Sequence, residues 1–212
     1  MVKRLQLQRM TDEIDKRFSL MPHVRRALME VDREIFVPTG FRHLSYTLDA
    51  LPMMEHQWIS SPLTVAKMTQ HLELDDADSV LEIGCGSGYQ AAILSRLVRR
   101  VFTIERIEPL LREARERFRT LGISNISTRY DDGQRGWREF APYDRILFSA
   151  TAESIQPELF DQLSEGGILI APIDEGGLQI ITRFYKKNGR ITSEAIEPCL
   201  FVPVLDGTKK QG

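Results

Sequence analysis

The decapeptide LEIGCGSGYQ, Leu81 to Gln90, restricts the possible folds more than any other part of the chain. A short β-branched run, SVLEIG, ends in glycines and passes at once into the helical pattern YQAAILSRLV. Gly84, Gly86 and Gly88 sit where a strand must turn sharply into a helix, which lets backbone approach a ligand closely. The same texture repeats downstream. RVFTIE reads as a strand and PLLREARERFRTLG as a helix closed by Gly122 in a C-cap position. ISTRY and YDRILFS are the third and fourth strands, and ILIAPI, entered through Gly166 and Gly167, is the fifth. This alternation predicts an α/β protein with a parallel sheet covered by helices on both faces, a three-layer Rossmann-like arrangement. The end departs from it: LQIITRFY and ITSEAIE flank KKNGR, an antiparallel hairpin around an Asn-Gly turn. Parallel strands followed by such a hairpin favour a methyltransferase-type sheet over the six-stranded parallel sheet of the dehydrogenases.

The glycine spacing points the same way. A dinucleotide site calls for G-x-G-x-x-G, with a pyrophosphate on the helix N-terminus. Here the third glycine comes one residue early, and Glu82 precedes the loop. An acid there repels a pyrophosphate but accepts a hydrogen bond from an amino group. S-adenosylmethionine, with an ammonium, a sulfonium and no phosphate, suits that combination. Glu105 ends the second strand, where a carboxylate can take both ribose hydroxyls, and Asp132 in DDGQRGW follows the third, within reach of an adenine amino group. A glycine loop alone is commonly structural, and a strand-end acid is commonly a solvated charge. Their placement on successive strand ends makes a cofactor crevice the better account.

Bulk properties exclude several classes. In 212 residues the formal charge is -2, which gives no ground for nucleic acid as a bulk electrostatic partner. The start, MVKRLQLQRMTDEIDKRF, has no continuous apolar stretch, and no run approaches the ~20 residues of a membrane span. The expectation is a cytoplasmic monomer, a single domain over 1–212. In it 1–62 form N-terminal helices and an active-site loop, and 63–212 the S-adenosylmethionine-binding core. Leu7, Met10, Ile14 and Phe18 recur at helical spacing, as do Val24, Leu28 and Val31. FVPTGFRHLSYTLDALPMMEHQW shows no clear period and reads as a lid or binding loop. Cys85 and Cys199 lack redox or metal spacing and read as packing residues, and His23, His43, His56 and His71 lack metal-ligand spacing.

Negative evidence narrows the methyl acceptor. Enzymes that methylate exocyclic amines of bases tend to carry an Asn/Asp-Pro-Pro-aromatic motif after the fourth strand, where this chain has SATAES; APYD precedes that strand, at the wrong edge. Cytosine C5 chemistry needs a Pro-Cys nucleophile there, and neither cysteine occupies it.

Across nearly the whole chain the sequence resembles the protein-L-isoaspartate O-methyltransferases. VDREIFVP is similar to that family's N-terminal signature. SYTLDALP and HQWISSP resemble the approach to its Gln-Thr-Ile-Ser-x-Pro motif. VLEIGCGSGYQAAILSRL, VFTIERIEPL, DDGQRGW and APYDRILFSATAESI follow in family order, and FVPVLD is similar to its closing strand. The resemblance implies methyl transfer from S-adenosylmethionine to the free α-carboxylate of isoaspartyl residues in damaged proteins. The ester then collapses to a succinimide that can reopen as normal aspartate. It implies Ser60 as the residue that aims the carboxylate. Ile59, Ser60, Glu82, Gly84, Gly86, Gly88, Glu105, Arg106, Asp132 and Gly133 form the cofactor set, and Trp58, Ser60 and Val202 the acceptor set, with no metal.

Local sequence rules divide two serines in ISSPLTVAKM. Proline is favoured at the first helical position and serine just before it, so Pro62 assigns the cap to Ser61 and leaves the Ser60 hydroxyl free. One departure stands out: the family's Gly-x-Gly-Gln-Thr-Ile-Ser becomes MEHQWIS, with Met54, His56 and Trp58 replacing two glycines and the threonine. The expectation is an intact cofactor site with altered acceptor range or activity. Two other readings stay open at this point: the same fold with another carboxylate or small-molecule acceptor, and a non-catalytic cofactor-binding relative.

Overall fold

The computed structural model describes residues 2–210. The chain opens with α1 (Val2–Arg17), which buries Leu7, Met10, Thr11 and Ile14 at three- and four-residue intervals. Next comes α2 (Pro22–Glu30), which starts with proline in its first turn and buries Val24, Ala27 and Leu28. The aperiodic stretch that follows is built from short 3₁₀ segments at Arg33–Phe36 and Thr39–Leu44 and a tight turn at Met54–His56. Within it β1 (Leu51–Pro52) and β2 (Trp58–Ile59) form a two-stranded antiparallel pair. The third helix, α3 (Pro62–His71), then leads into the sheet.

The core alternates β3 (Ser79–Ile83), α4 (Tyr89–Leu94), β4 (Arg100–Glu105), α5 (Glu108–Thr120), β5 (Ile126–Tyr130) and β6 (Tyr143–Phe148). After α6 (Pro157–Asp161) come β7 (Leu163–Asp174), β8 (Gln179–Lys187) and β9 (Arg190–Pro198). These seven strands form one sheet in the order β5-β4-β3-β6-β7-β8-β9. From β5 to β7 every pairing is parallel, and β8 and β9 add antiparallel. The mostly parallel sheet with an antiparallel end is the one expected. Asn188 and Gly189 both take positive φ, 53° and 69°, as a two-residue hairpin turn requires.

All five residues of β3 are buried, as befits a strand covered on both faces. Val80 packs into the core on one face, with Ile93, Val101, Leu111 and Leu147. Leu81, Phe102, Ile146 and Leu169 pack into the core on the other. Two helix ends repay attention. After α5, Gly122 (φ 64°) lets its own N–H reach Arg119 O and the Ile123 N–H reach Phe118 O, a Schellman closure. The helix expected over YQAAILSRLV stops at Leu94. There the Ser95 hydroxyl donates to Ala92 O, and Asn125 Nδ2 takes the Ser95 and Val98 carbonyls that a longer helix would use.

From β3 the chain winds outward to β4 and β5, then returns to β6 on the opposite side of β3. The carboxyl ends of β3 and β6 therefore flank a topological switch point, where the connecting loops part and leave a crevice. The last residues complete its surroundings: beyond β9, residues 199–209 run back over this edge as a strap. FVPVLD, expected as a closing strand, makes only an isolated parallel bridge there, between Pro203 and Thr151. Among the described residues no helix is long and apolar enough to cross a membrane.

Candidate active site

The floor of the crevice is the turn from β3 to α4. Gly84, Gly86 and Gly88 all take positive φ, 94°, 53° and 88°, a region costly for residues with a Cβ. The turn is tied to the neighbouring strand: the Gly84 and Cys85 N–H groups donate to Ile104 O, and the Gly86 N–H donates to Glu105 Oε2 at 2.8 Å. Gly88 serves a different purpose. A Cβ there would stand 2.7 Å from Phe118 Cζ and 3.3 Å from Ala114 Cβ, so glycine is what lets the start of α4 pack on α5.

Two carboxyls face this turn. Glu82 has no exposed surface and accepts hydrogen bonds from the hydroxyls of Thr103 (2.6 Å) and Ser149 (3.1 Å). Burial pushes its pKa up to about 8, with the two hydroxyls pulling the other way. Glu105 is also buried. Its Oε1 accepts the Ile107 N–H and its Oε2 the Gly86 N–H, and burial raises its pKa against the pull of those donors. Among the described residues neither carboxyl has a basic side chain within 4 Å.

The opposite wall comes from the N-terminal segment. Ser61 caps α3 by accepting the Thr64 N–H at 3.1 Å, with Pro62 in the first turn. The Ser60 hydroxyl makes no hydrogen bond among the described residues, as the division of the two serines predicts, and Ser60 faces the crevice. Trp58 stands at the rim with 54% of its surface exposed. The turn before it is unusual, because Glu55 (φ 60°) and His56 (φ 56°) are both left-handed without being glycine. Three hydrogen bonds hold it: Met53 N–H to Gln57 O, Gln57 N–H to Met54 O, and Gln57 Nε2 to Glu55 O.

The strap closes the third side. The Thr151 N–H donates to Val202 O and the Val204 N–H to Thr151 O, which fixes Val202 beside the end of β6. Arg106 donates to the carbonyls of Gly207 and Asp206. Asp132 caps the turn that follows β5 by accepting the Gln134 N–H, while its other oxygen accepts the Gly207 N–H at 2.8 Å. Lys209 reaches Glu55 across the gap at 2.7 Å and so joins the strap to the strained turn.

The cleft bounded in this way has a volume of about 100 Å³. Of the residues assigned from sequence, it brings together Trp58, Ile59, Ser60, Glu82, Gly84 and Gly86. Glu105, Arg106, Gly133 and Val202 line it as well. Gly88 and Asp132 do not: one packs a helix start, and the other faces the neighbouring surface and is engaged by the strap. Sequence reasoning missed Met53, Gln57, Ser149, Tyr89 and, around the assigned Val202, Phe201 and Pro203 to Leu205, which also line the cleft. Ser149 was detectable, since it ends the strand beside β3. The other strap residues carry no local signal of a cleft role, because only their return across the sheet edge brings them here.

The chemistry of the donor set fits S-adenosylmethionine. A cleft floored by left-handed glycines and facing two buried, unpaired carboxyls suits a cationic ligand with no phosphate. Beside Gly86 the nearest heavy atom to an added Cβ would be Met53 Cε at 3.7 Å, so backbone and an apolar thioether are what a ligand would meet.

Comparison with known proteins agrees. The profile of the Protein-L-isoaspartate(D-aspartate) O-methyltransferase (PCMT) family matches residues 5–209. A protein-L-isoaspartate O-methyltransferase of Helicobacter pylori (strain J99 / ATCC 700824) is 59% identical over 201 residues, covering 94% of this chain and 96% of that one. One from Maricaulis maris (strain MCS10) is 46% identical over 184 residues, covering 87% and 86%. Among solved structures, a protein-L-isoaspartate O-methyltransferase superposes with a TM-score of 0.85 at 28% identity, over 94% of this chain and 66% of that one. A candidate enzyme of the same name from Plasmodium falciparum, in complex with S-adenosyl-L-homocysteine, shares the fold at a TM-score of 0.82 and 22% identity, over 96% of this chain and 98% of that one.

Proposed function

Since this chain belongs to the protein-L-isoaspartate(D-aspartate) O-methyltransferase family, we propose that it methylates the free α-carboxylate of L-isoaspartyl residues in damaged proteins and peptides. The observation that carries this reading is the family match over residues 5–209, joined to a cleft that brings Ser60 together with Glu82 and Glu105. Bound S-adenosylmethionine supplies a methyl group activated by a sulfonium leaving group.

The protein's task is then placement. Glu82 and Glu105 hold the cationic and hydroxyl-bearing parts of that ligand, with Gly84, Gly86, Arg106, Gly133 and Ile59 as backbone and walls. The acceptor carboxylate is ionised at neutral pH and needs no general base. The Ser60 hydroxyl, free of any capping duty, donates to it and fixes the line of attack, while Val202 and Trp58 bound the peptide and limit water. Orientation and desolvation supply most of the acceleration. Methyl transfer yields a methyl ester and leaves S-adenosylhomocysteine; the neighbouring backbone nitrogen then attacks the ester carbonyl, loses its proton and expels methanol, closing a succinimide.

Gly88 and Asp132 belong to the same proposal in altered roles, Gly88 as a packing position and Asp132 as an anchor for the strap. Residues 1–62 supply the acceptor wall and 63–212 the cofactor core of one domain, working as a cytoplasmic monomer with neither nucleic acid nor membrane as partner. A test supplies methyl-labelled S-adenosylmethionine with paired peptides that differ only in isoaspartate against aspartate. Base-labile label in the isoaspartyl peptide alone is the expected result, and none despite tight S-adenosylhomocysteine binding overturns the reading. In the same assay Trp58→Thr should change KM for isoaspartyl peptides several-fold; equal kinetics would exclude Trp58 from the acceptor pocket.

A further inference from the structure

Arg33 is the largest side chain with no exposed surface among the described residues. It starts a 3₁₀ turn just after α2 and points under the loop that leads to Ser60. Its guanidinium makes no ion pair within 4 Å among the described residues. Instead it donates to four main-chain carbonyls: Nη1 to Ser45 O (2.9 Å) and Thr47 O (3.3 Å), Nη2 to Asp49 O (2.9 Å) and Ser60 O (3.1 Å). Nε has no partner. The guanidinium carbon lies 5.9 Å from the centre of the Tyr89 ring, and that ring lines the cleft.

Burying a cation without a carboxylate is costly and persists only where the surrounding structure over-determines it. Carbonyl dipoles and the face of an aromatic ring offset part of that cost. For a chain that needed only stability, an apolar side chain would fill this space more cheaply. The four carbonyls belong to residues 45, 47, 49 and 60, the two ends of the segment that carries β1, the left-handed turn and β2. One rigid fork therefore joins the beginning of the acceptor loop to the residue that ends it.

We infer that Arg33 is a positioning residue for methyl transfer: by clamping the Ser45–Asp49 carbonyls to the Ser60 carbonyl, it sets where the Ser60 hydroxyl is presented to the acceptor. This rests on the role of Ser60 proposed above. Arg33 does not line the cleft and touches no substrate; it acts through the backbone of Ser60. Lysine cannot replace it, because one ammonium lacks the planar fork that serves several carbonyls at once.

The test uses Arg33→Met, which keeps the volume without the charge, and Arg33→Lys, which keeps the charge without the fork. Each is also made with Ser60→Ala. With isoaspartyl peptide, both Arg33 variants should lose about 10- to 100-fold in kcat, with S-adenosylhomocysteine affinity changed less than about threefold, and lysine should rescue little. In the Ser60→Ala background the same changes should cost almost nothing further, because the residue they act through is gone. Amide exchange over residues 45–60 should accelerate in Arg33→Met, while β3 and β4 keep their protection. The inference is overturned if Arg33→Met retains kcat within twofold, if its loss multiplies fully with that of Ser60→Ala, or if cofactor affinity falls as far as kcat. A wild-type protein inactive on isoaspartyl peptide fails the proposed function and the positioning role with it, whereas unchanged exchange over 45–60 refutes the clamp alone.

Discussion

Two loops meet across the cleft, and both pass through left-handed backbone. The β3–α4 turn does so with Gly84, Gly86 and Gly88; the turn before Trp58 does so with Glu55 and His56. In the first, glycine removes the steric penalty and the turn is held by hydrogen bonds to β4 and Glu105. In the second, each residue carries a Cβ against the following carbonyl, at a cost of roughly 1–2 kcal/mol apiece. That conformation is kept by Gln57, by the short β1–β2 pair and by the Lys209 ion pair from a segment about 150 residues away. One loop is shaped by its own residues, and the other is imposed by what surrounds it.

Changes to the first loop should have the larger consequences. Gly88→Ala adds both a left-handed Cβ and a clash with Phe118, and should destabilise the fold by roughly 2–4 kcal/mol, read from urea unfolding. A loss under about 0.5 kcal/mol would mean that α4 and α5 can separate freely. Glu82→Gln keeps shape and burial but removes the carboxylate. It should weaken S-adenosylhomocysteine binding by about 10- to 100-fold, the worth of a charge-assisted hydrogen bond, with little loss of stability.

The same residue predicts a pH dependence. Glu82 titrates at about 8 in the ligand-free protein because burial favours its neutral form. A cationic ligand prefers the ionised form. Affinity in calorimetry should therefore rise as pH increases toward about 8, by up to roughly tenfold per unit, and level off above it. In Glu82→Gln that slope should vanish; a slope that survives belongs to another group.

On the acceptor side the effects shrink and one changes sign. His56→Gly relieves a left-handed Cβ and should stabilise the protein by up to about 1 kcal/mol, the strain relieved less the entropy that glycine loses on folding. A destabilised variant would show that His56 makes contacts worth more than its strain. Lys209→Ala breaks a half-exposed ion pair and should cost less than about 1 kcal/mol, yet amide exchange across residues 53–57 should quicken. Unchanged exchange there would leave Gln57 and the β1–β2 pair as sufficient supports.

Legibility follows the same division. The strands from β3 to β9, the Gly122 helix end and the Asn-Gly hairpin were readable because hydrophobic period and glycine placement act over a few residues. Ser61 and Ser60 separated on local rules as well, since Pro62 allows only one of them to cap α3. The short 3₁₀ segments and tight turn of residues 33–56 were not readable, as they carry too few residues to show a period. Arg33 was invisible for a related reason: in sequence it is one more arginine in VDREIF, and only the chain's return through Ser45, Thr47, Asp49 and Ser60 gives it partners.

By itself the sequence determined the order of the seven sheet strands and of the helices other than α6, the acid-flanked glycine turn and the capping serine, since propensity, periodicity and φ preference act on near neighbours. Tertiary structure decided that Asp132 anchors a strap instead of lining the cleft, that Glu55 and His56 sit left-handed, and that Arg33 is buried without a carboxylate. Each depends on contacts between residues far apart in the chain, which come into being only when the sheet edge, the N-terminal loop and the C-terminal strap close on one another.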